Sequence, residues 1–300
     1  EKTVKKGLKE VEVSSDDAFE EINSDNSEMK MMKMEVEEEM FVPVQNGQVY
    51  TGPLFIKRSN DHDLPAEAMS GVYATITAAL SDLYARGANG PVRFLLTDPS
   101  YNSENLPLMI SSWTGSSSVN TLTIKPNAGV NSAISGSNTT AVFDVNNGSH
   151  FTLDGSNINN GSTKDLTIAN SSAFASTIRF INDADNNVIK NCSIKGVTRS
   201  SSNGVVFFST TDRPSGNDSN LILNNDITAN SISPFFCIYN NGTGTNSATK
   251  NSRNRIIDNR CYDFYSRGIL DEGNSVSNLY EGNEIYSVTG QSQFQVGCRI

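Results

Sequence analysis

Histidine, tryptophan, basic clusters and long apolar runs are what this 300-residue sequence has least of. His62 and His150 are the only histidines, and no serine or cysteine stands in a nucleophile–histidine–carboxylate pattern with either. The four cysteines, Cys192, Cys237, Cys261 and Cys298, contain no C-x-x-C and have no histidine pair nearby, which excludes the usual zinc spacings. They read as small buried apolar fillers, with disulfides as the alternative if the protein is secreted. Lysine and arginine total 23 against 33 acidic residues, a net charge of −10 with no basic stripe, so nucleic acid is not an expected partner. No apolar run approaches the ~18 residues that membrane insertion by a helix requires. There is no P-loop, and Gly242-Thr243-Gly244 alone does not make a phosphate cradle.

Charged residues are only 19 % and hydrophobic residues 36 % of the chain, so much of the remainder is uncharged and polar: Asn, Ser, Thr and Gly. The apolar residues come in short, spaced runs, which implies a long, thin core. Residues 1–40 stand apart, with 13 acidic and 6 basic residues and with Met29, Met31, Met32, Met34 and Met40. Residues 1–68 read as an acidic leader or linker with short strands, such as Val42–Val44 and Pro53–Ile56. Tyr73, Ile76, Ala79, Leu80, Leu83 and Tyr84 recur at helical spacing and predict one amphipathic helix over 73–86, with Gly87 as its C-cap.

From residue 120 onward, short strands alternate with Asn/Gly/Ser turns, and a repeat is visible. Asn187, Ile189, Cys192 and Ile194 align with Asn220, Ile222, Asn225 and Ile227. These align in turn with Asn254, Ile256, Asn259 and Cys261, and then with Asn278, Tyr280, Asn283 and Ile285, at offsets of 33, 34 and 24 residues. A second strand precedes each copy: 178–181, 205–208, 236–239 and 268–270. Strands of about four residues cannot bury a face alone. Stacked coils solve this, because each strand pairs with those above and below at about 4.8 Å and alternate residues point inward. Ile189, Ile222, Ile256 and Tyr280 then form one ladder, and Ile194, Ile227, Cys261 and Ile285 another. Asn220, Asn254 and Asn278, with Asn225, Asn259 and Asn283, form polar ladders at corners, where Asn also tolerates the left-handed backbone. The expected fold is an all-β parallel β-helix over 69–300 with an N-terminal capping helix. Loops such as 211–217 and 242–253 bulge from the cylinder. The sequence stops within a coil, so the solenoid is expected to be truncated at its C-terminus.

Gly71–Leu83, Gly90–Leu96, Thr121–Pro126, Phe151–Ser156 and Asp165–Ile168 resemble the opening of large secreted bacterial proteins with right-handed parallel β-helix repeats and a pectin-lyase-like fold. That resemblance implies secretion or cell-surface display. It implies a structural or adhesive module whose partners are polysaccharides, cell-surface glycans or other copies of the chain. The alternative is a polysaccharide lyase or glycoside hydrolase. A hydrolase needs two carboxylates, and a polyuronide lyase needs a cation, usually calcium, and a base. Residues past the second-strand class could supply them along one edge: Asp183, Asp212, Asp271 and Arg213 for catalysis, and Asp183, Asp185, Asp271 and Glu272 for calcium. Arg267 is near the same edge. Ordinary solvated turn residues are the competing reading. The repeats lack Gly-His-Gly, an Asp-Asp pair and Arg-x-Pro-x-x-Arg of the catalytic subfamilies. Late aromatics offer a sugar platform, with Tyr262, Tyr265 and Tyr286 as candidates, although they also suit ladder filling.

Overall fold

The computed structural model describes residues 49–51, 71–210, 215–242, 247–272, 275–288 and 296–299. It is a parallel β-solenoid with three long sheets, through which the chain passes in turn, and a short parallel pair of Asn251–Ser252 with Ser275–Val276. The first sheet carries Val92–Leu96, Leu122–Pro126, Phe151–Asp154, Val188–Lys190, Leu221–Leu223, Arg255–Ile257 and Leu279–Glu281. The second ends with Cys192–Gly196, Asp226–Ala229, Arg260–Tyr262 and Glu284–Tyr286. The third ends with Ile178–Ile181, Val206–Phe208, Phe236–Asn240, Arg267–Asp271 and Val296–Arg299. The leader is described only at Val49–Thr51. This strand inserts antiparallel between Gly71–Tyr73 and Val92–Leu96, giving the first sheet a differently paired edge.

The one α-helix among the described residues, Ile76–Arg86, follows Gly71–Tyr73. It begins later than the periodicity predicts because Tyr73 belongs to the strand and Thr75 is the N-cap, its hydroxyl accepting the Ala78 N–H at 3.0 Å. Ile76, Ala79, Leu80 and Leu83 form its buried stripe and join Phe94, Leu108 and Ile110 in the core. Gly87 ends it at φ 72°, donating its N–H to the Leu83 carbonyl at 2.7 Å. A Cβ there would sit 2.6 Å from the Thr114 carbonyl oxygen, so glycine is required by both conformation and space.

The inward ladders follow the expected register and extend further. Phe94, Ile124, Leu153, Ile189, Ile222, Ile256 and Tyr280 stack in the first sheet. Tyr101, Ile134, Ile168, Ile194, Ile227, Cys261 and Ile285 stack in the second. In the third, the Phe180 and Phe208 rings lie 4.7 Å apart and nearly parallel. Cys192, Cys237 and Cys261 are buried free thiols; Cys298 differs from the filler reading in being exposed.

The asparagine ladders are continuous hydrogen-bond chains. Asn225 donates its backbone N–H and its Nδ2 to Asn259 Oδ1, both at 3.0 Å, and Asn259 does the same to Asn283. Asn187, Asn220 and Asn254 repeat the device at the other corner, and Asn254 N–H donates to Asn278 Oδ1 at 2.8 Å. One expectation needs correction. The left-handed conformation belongs to the residue before each ladder position: Asn186, Ser219, Arg253 and Ser277 at one corner, and Asn191 (before Cys192), Asn224, Asp258 and Gly282 at the other. The ladder asparagine acts through its amide, and its predecessor makes the bend. His150 holds the same left-handed position before Phe151, whose N–H donates to Asn187 Oδ1.

Candidate functional site

Connection length decides where the solenoid can carry a site. First-to-second corners are one or two residues long in the later coils, as at Asn191 and Asn224–Asn225. Both ends of the third sheet carry longer connections: 197–205 and 230–235 before it, 209–220 and 241–254 after it. Loops of this kind, held by a rigid scaffold, are the usual carriers of binding groups. The outer face of the third sheet between them is one aligned column: Met109, Asp144, Arg179, Phe207, Tyr239, Leu270 and Arg299.

That column is already internally paired. Arg179 holds the buried Asp144 carboxylate with two hydrogen bonds, at 2.7 and 2.9 Å. The Phe207 and Tyr239 rings stack at 5.3 Å and, with Phe236 and Leu270, make a second buried apolar cluster outside the main core. Tyr239 donates its hydroxyl to Glu272 Oε2 at 2.7 Å. Burial and the neighbouring carboxylate push its phenol well above the ordinary tyrosine range.

The acidic candidates do not form one group. Asp212 and Arg213 lie outside the described residues. Asp183 follows the coil of Phe180, and the register Phe180, Phe208, Asn240, Asp271 places Asp271 three coils further on. At about 4.8 Å per coil that is about 14 Å along the axis, wider than the ~5–9.5 Å that two-carboxylate glycoside hydrolysis uses. Asp271 is not a surface turn residue. Leu270 packs outward, so the period of two turns Asp271 inward, where it is 4 % exposed. Its Oδ2 accepts from Tyr280 OH at 2.5 Å, Ser275 Oγ at 2.8 Å, Asn240 Nδ2 at 3.1 Å and Asn278 Nδ2 at 3.3 Å. Asp183 and Asp185 do share a turn. Asp183 accepts the N–H groups of Ser215 and Gly216, and Asp185 that of Asp218 at 2.7 Å. Asp218 in turn accepts the Ser252 N–H at 2.6 Å and pairs with Arg253. Burial first, then the charges of Asp218 and Asp183, push Asp185 up to about 6 despite the Asp218 N–H and Arg253. These contacts knit adjacent coils. The proposed calcium set of Asp183, Asp185, Asp271 and Glu272 is split between distant coils, and no three His, Cys, Asp or Glu side chains converge to hold a metal among the described residues.

The tyrosine candidates also separate. Tyr262 and Tyr286 are on the outer face of the second sheet, stacked at 5.2 Å with planes 6° apart. Each ring covers one face of the other, and Tyr286 is 37 % exposed. Beside them Asp226 is shared by Lys164 at 2.6 Å and Arg260 at 2.5 Å; burial alone would raise its carboxyl, but the two cations hold it below the usual range. Tyr265 is instead in the loop before the third sheet, 5.5 Å from Phe235, with the Arg199 guanidinium 4.3 Å above its ring.

Comparison with family models, with curated proteins and with solved structures gives no match to this chain. The geometry therefore carries the functional reading alone. Sequence reasoning missed the Asp144–Arg179 pair, the Arg199–Tyr265–Phe235 group and a third amide chain. In that chain Asn217 donates to Asn251 Oδ1 at 2.9 Å, Asn251 to Asn240 Oδ1 at 2.7 Å, and Asn240 to Asp271. The signal for the chain was present, since the 34-residue offset that pairs Asn220 with Asn254 also pairs Asn217 with Asn251.

Proposed function

We propose that the chain is a right-handed parallel β-helix of the pectin-lyase-like kind, from a secreted bacterial protein. It serves as a structural or adhesive module at a cell surface, and it binds glycans through the loops around its third sheet. The observation that carries this reading is the engagement of the candidate carboxylates. Asp183, Asp185 and Asp271 each hold backbone or side-chain donors of neighbouring coils, which is the work of a scaffold. Aromatic and basic side chains, by contrast, gather on the loops that precede the third sheet. Aromatic rings and guanidinium groups suit sugar rings, which offer apolar C–H faces and hydroxyl acceptors.

The test is incubation of the protein with a panel of polysaccharides, with and without calcium, followed by mass spectrometry of the soluble fraction and a retention assay on the same polymers. The expected result is retention on at least one polymer with no oligosaccharide released. Release of oligosaccharides would overturn the non-catalytic reading, and unsaturated ends would assign a lyase in its place.

A further inference from the structure

We propose that the loops entering the third sheet form a cradle for an anionic glycan, with Arg199 and Arg267 as the groups that bind its acid substituents. This rests on the glycan-binding reading above and names the ligand class. The two arginines stand at opposite ends of one aromatic chain. Arg199 lies 4.3 Å over Tyr265; Tyr265 is 5.5 Å from Phe235; Phe235 is 4.9 Å from Phe236; and the Arg267 guanidinium is 5.9 Å from the Phe236 ring. A guanidinium attracted to a ring can still offer N–H groups to a planar acid.

Counter-charges divide the arginines. Arg86, Arg179, Arg253 and Arg260 each have a carboxylate partner. Arg199 and Arg267, like Arg255 and Arg299, have none among the described residues, in a chain of net charge −10, and of these four only Arg199 and Arg267 lie against aromatic rings. Their hydrogen bonds are long: Arg199 to the Ser233 carbonyl at 3.4 Å, and Arg267 to Ser266 Oγ at 3.3 Å. Arg267 Nε is buried with no acceptor among the described residues. A charged group with an unpaired donor is destabilising, and an anion paired with the rest of the Arg267 guanidinium would offset that cost. The nearby acids are engaged elsewhere: Asp263 accepts the Val288 N–H, and Glu272 the Tyr239 hydroxyl.

The same loops offer a surface for a sugar ring. Phe174 is 75 % exposed, and its neighbour Ala173 accepts the backbone N–H of Arg199 at 2.9 Å, so the bare ring belongs to a loop tied to the one that carries Arg199. Ile232, 53 % exposed, precedes the Ser233 that Arg199 touches. Cation, ring and apolar face together are the chemistry of a sugar bearing a carboxylate or a sulfate ester.

The experiment is affinity electrophoresis of the full chain through polygalacturonate, chondroitin sulfate and neutral galactan, at low and high salt. The wild type is compared with Arg199→Gln, Arg267→Gln and Arg267→Lys. The expected result is retardation by at least one anionic polymer, with affinity about tenfold above galactan and falling with salt. Each Gln variant should lose about tenfold, and Arg267→Lys should not restore it, because a point charge lacks the planar fork. Retardation by polygalacturonate assigns a carboxylate and retardation by chondroitin sulfate alone a sulfate. Galactan binding that matches the anionic polymers and survives the substitutions overturns the cradle while leaving a glycan-binding module. Absence of binding to all three overturns the cradle, and the panel above then decides the broader reading. Arg199 is exposed on a loop, so Arg199→Gln, with folding checked by circular dichroism, keeps the test open should Arg267→Gln fail to fold.

Discussion

Removing the Asn259 side chain takes an acceptor from the backbone N–H and amide of Asn225, and a donor from the Ile222 carbonyl. These groups are buried, and each orphaned one costs about 1–3 kcal/mol. Asn259→Ala should therefore lose on the order of 3 kcal/mol in urea unfolding, whereas replacing the preceding Asp258 by Gly should be nearly neutral, since that position supplies the bend. Asp185 gives a pH prediction. Its folded pKa of about 6 is above the ~3.9 of an unfolded aspartate, so the native state holds the proton longer. The associated stability is full below pH ~3.9 and is lost as pH rises to ~6. Asp185→Asn keeps the acceptor for the Asp218 N–H and removes that titration. It should raise the melting temperature at pH 7 and flatten the dependence between pH 4 and 6; a variant melting lower at pH 7 would contradict this. Residue type alone marked the amide ladders, because Asn recurs with the apolar period. It did not show that the neighbour takes the left-handed backbone, since Ser, Arg, Asp and Asn all fill that place.

The helix at the start of the solenoid is held by a partner far along the chain. The Glu104 carboxylate accepts the N–H groups of Ile76 and Thr77, at 2.8 and 3.1 Å, and the Thr77 hydroxyl. A carboxylate at a helix N-terminus meets both free N–H groups and the positive end of the dipole. Glu104→Ala should cost about 2 kcal/mol in thermal or urea unfolding and Glu104→Gln roughly half of that. Leu83→Ala, on the buried stripe, should cost about 2–5 kcal/mol. The helix itself was legible from its 3.6-residue period and terminal glycine. Its clamp was not, since Glu104 looks like any loop acid in sequence. The third sheet was the least legible element. Its aromatic residues face both ways, Phe208 inward and Phe207 outward, which hides the period of two that the first two sheets display.

At the scale of the whole molecule, the solenoid is stabilised by contacts between successive coils, so most polar side chains have a neighbour one coil away. This is why a search for clustered acids in the sequence misled. Asp271 follows an apolar residue and precedes a glycine-containing turn, the look of an exposed loop acid, yet register carries it into the core. A functional carboxylate kept for chemistry is commonly retained at a cost in stability, so its removal leaves a protein as stable or more so. A carboxylate that joins coils behaves in the opposite way. The most direct test is therefore the urea midpoint of Asp271→Ala. Loss of the shared acceptor of Tyr280, Ser275, Asn240 and Asn278 should lower stability by about 3 kcal/mol or more. An unchanged or higher midpoint would contradict the scaffold account and return Asp271 to the list of catalytic candidates.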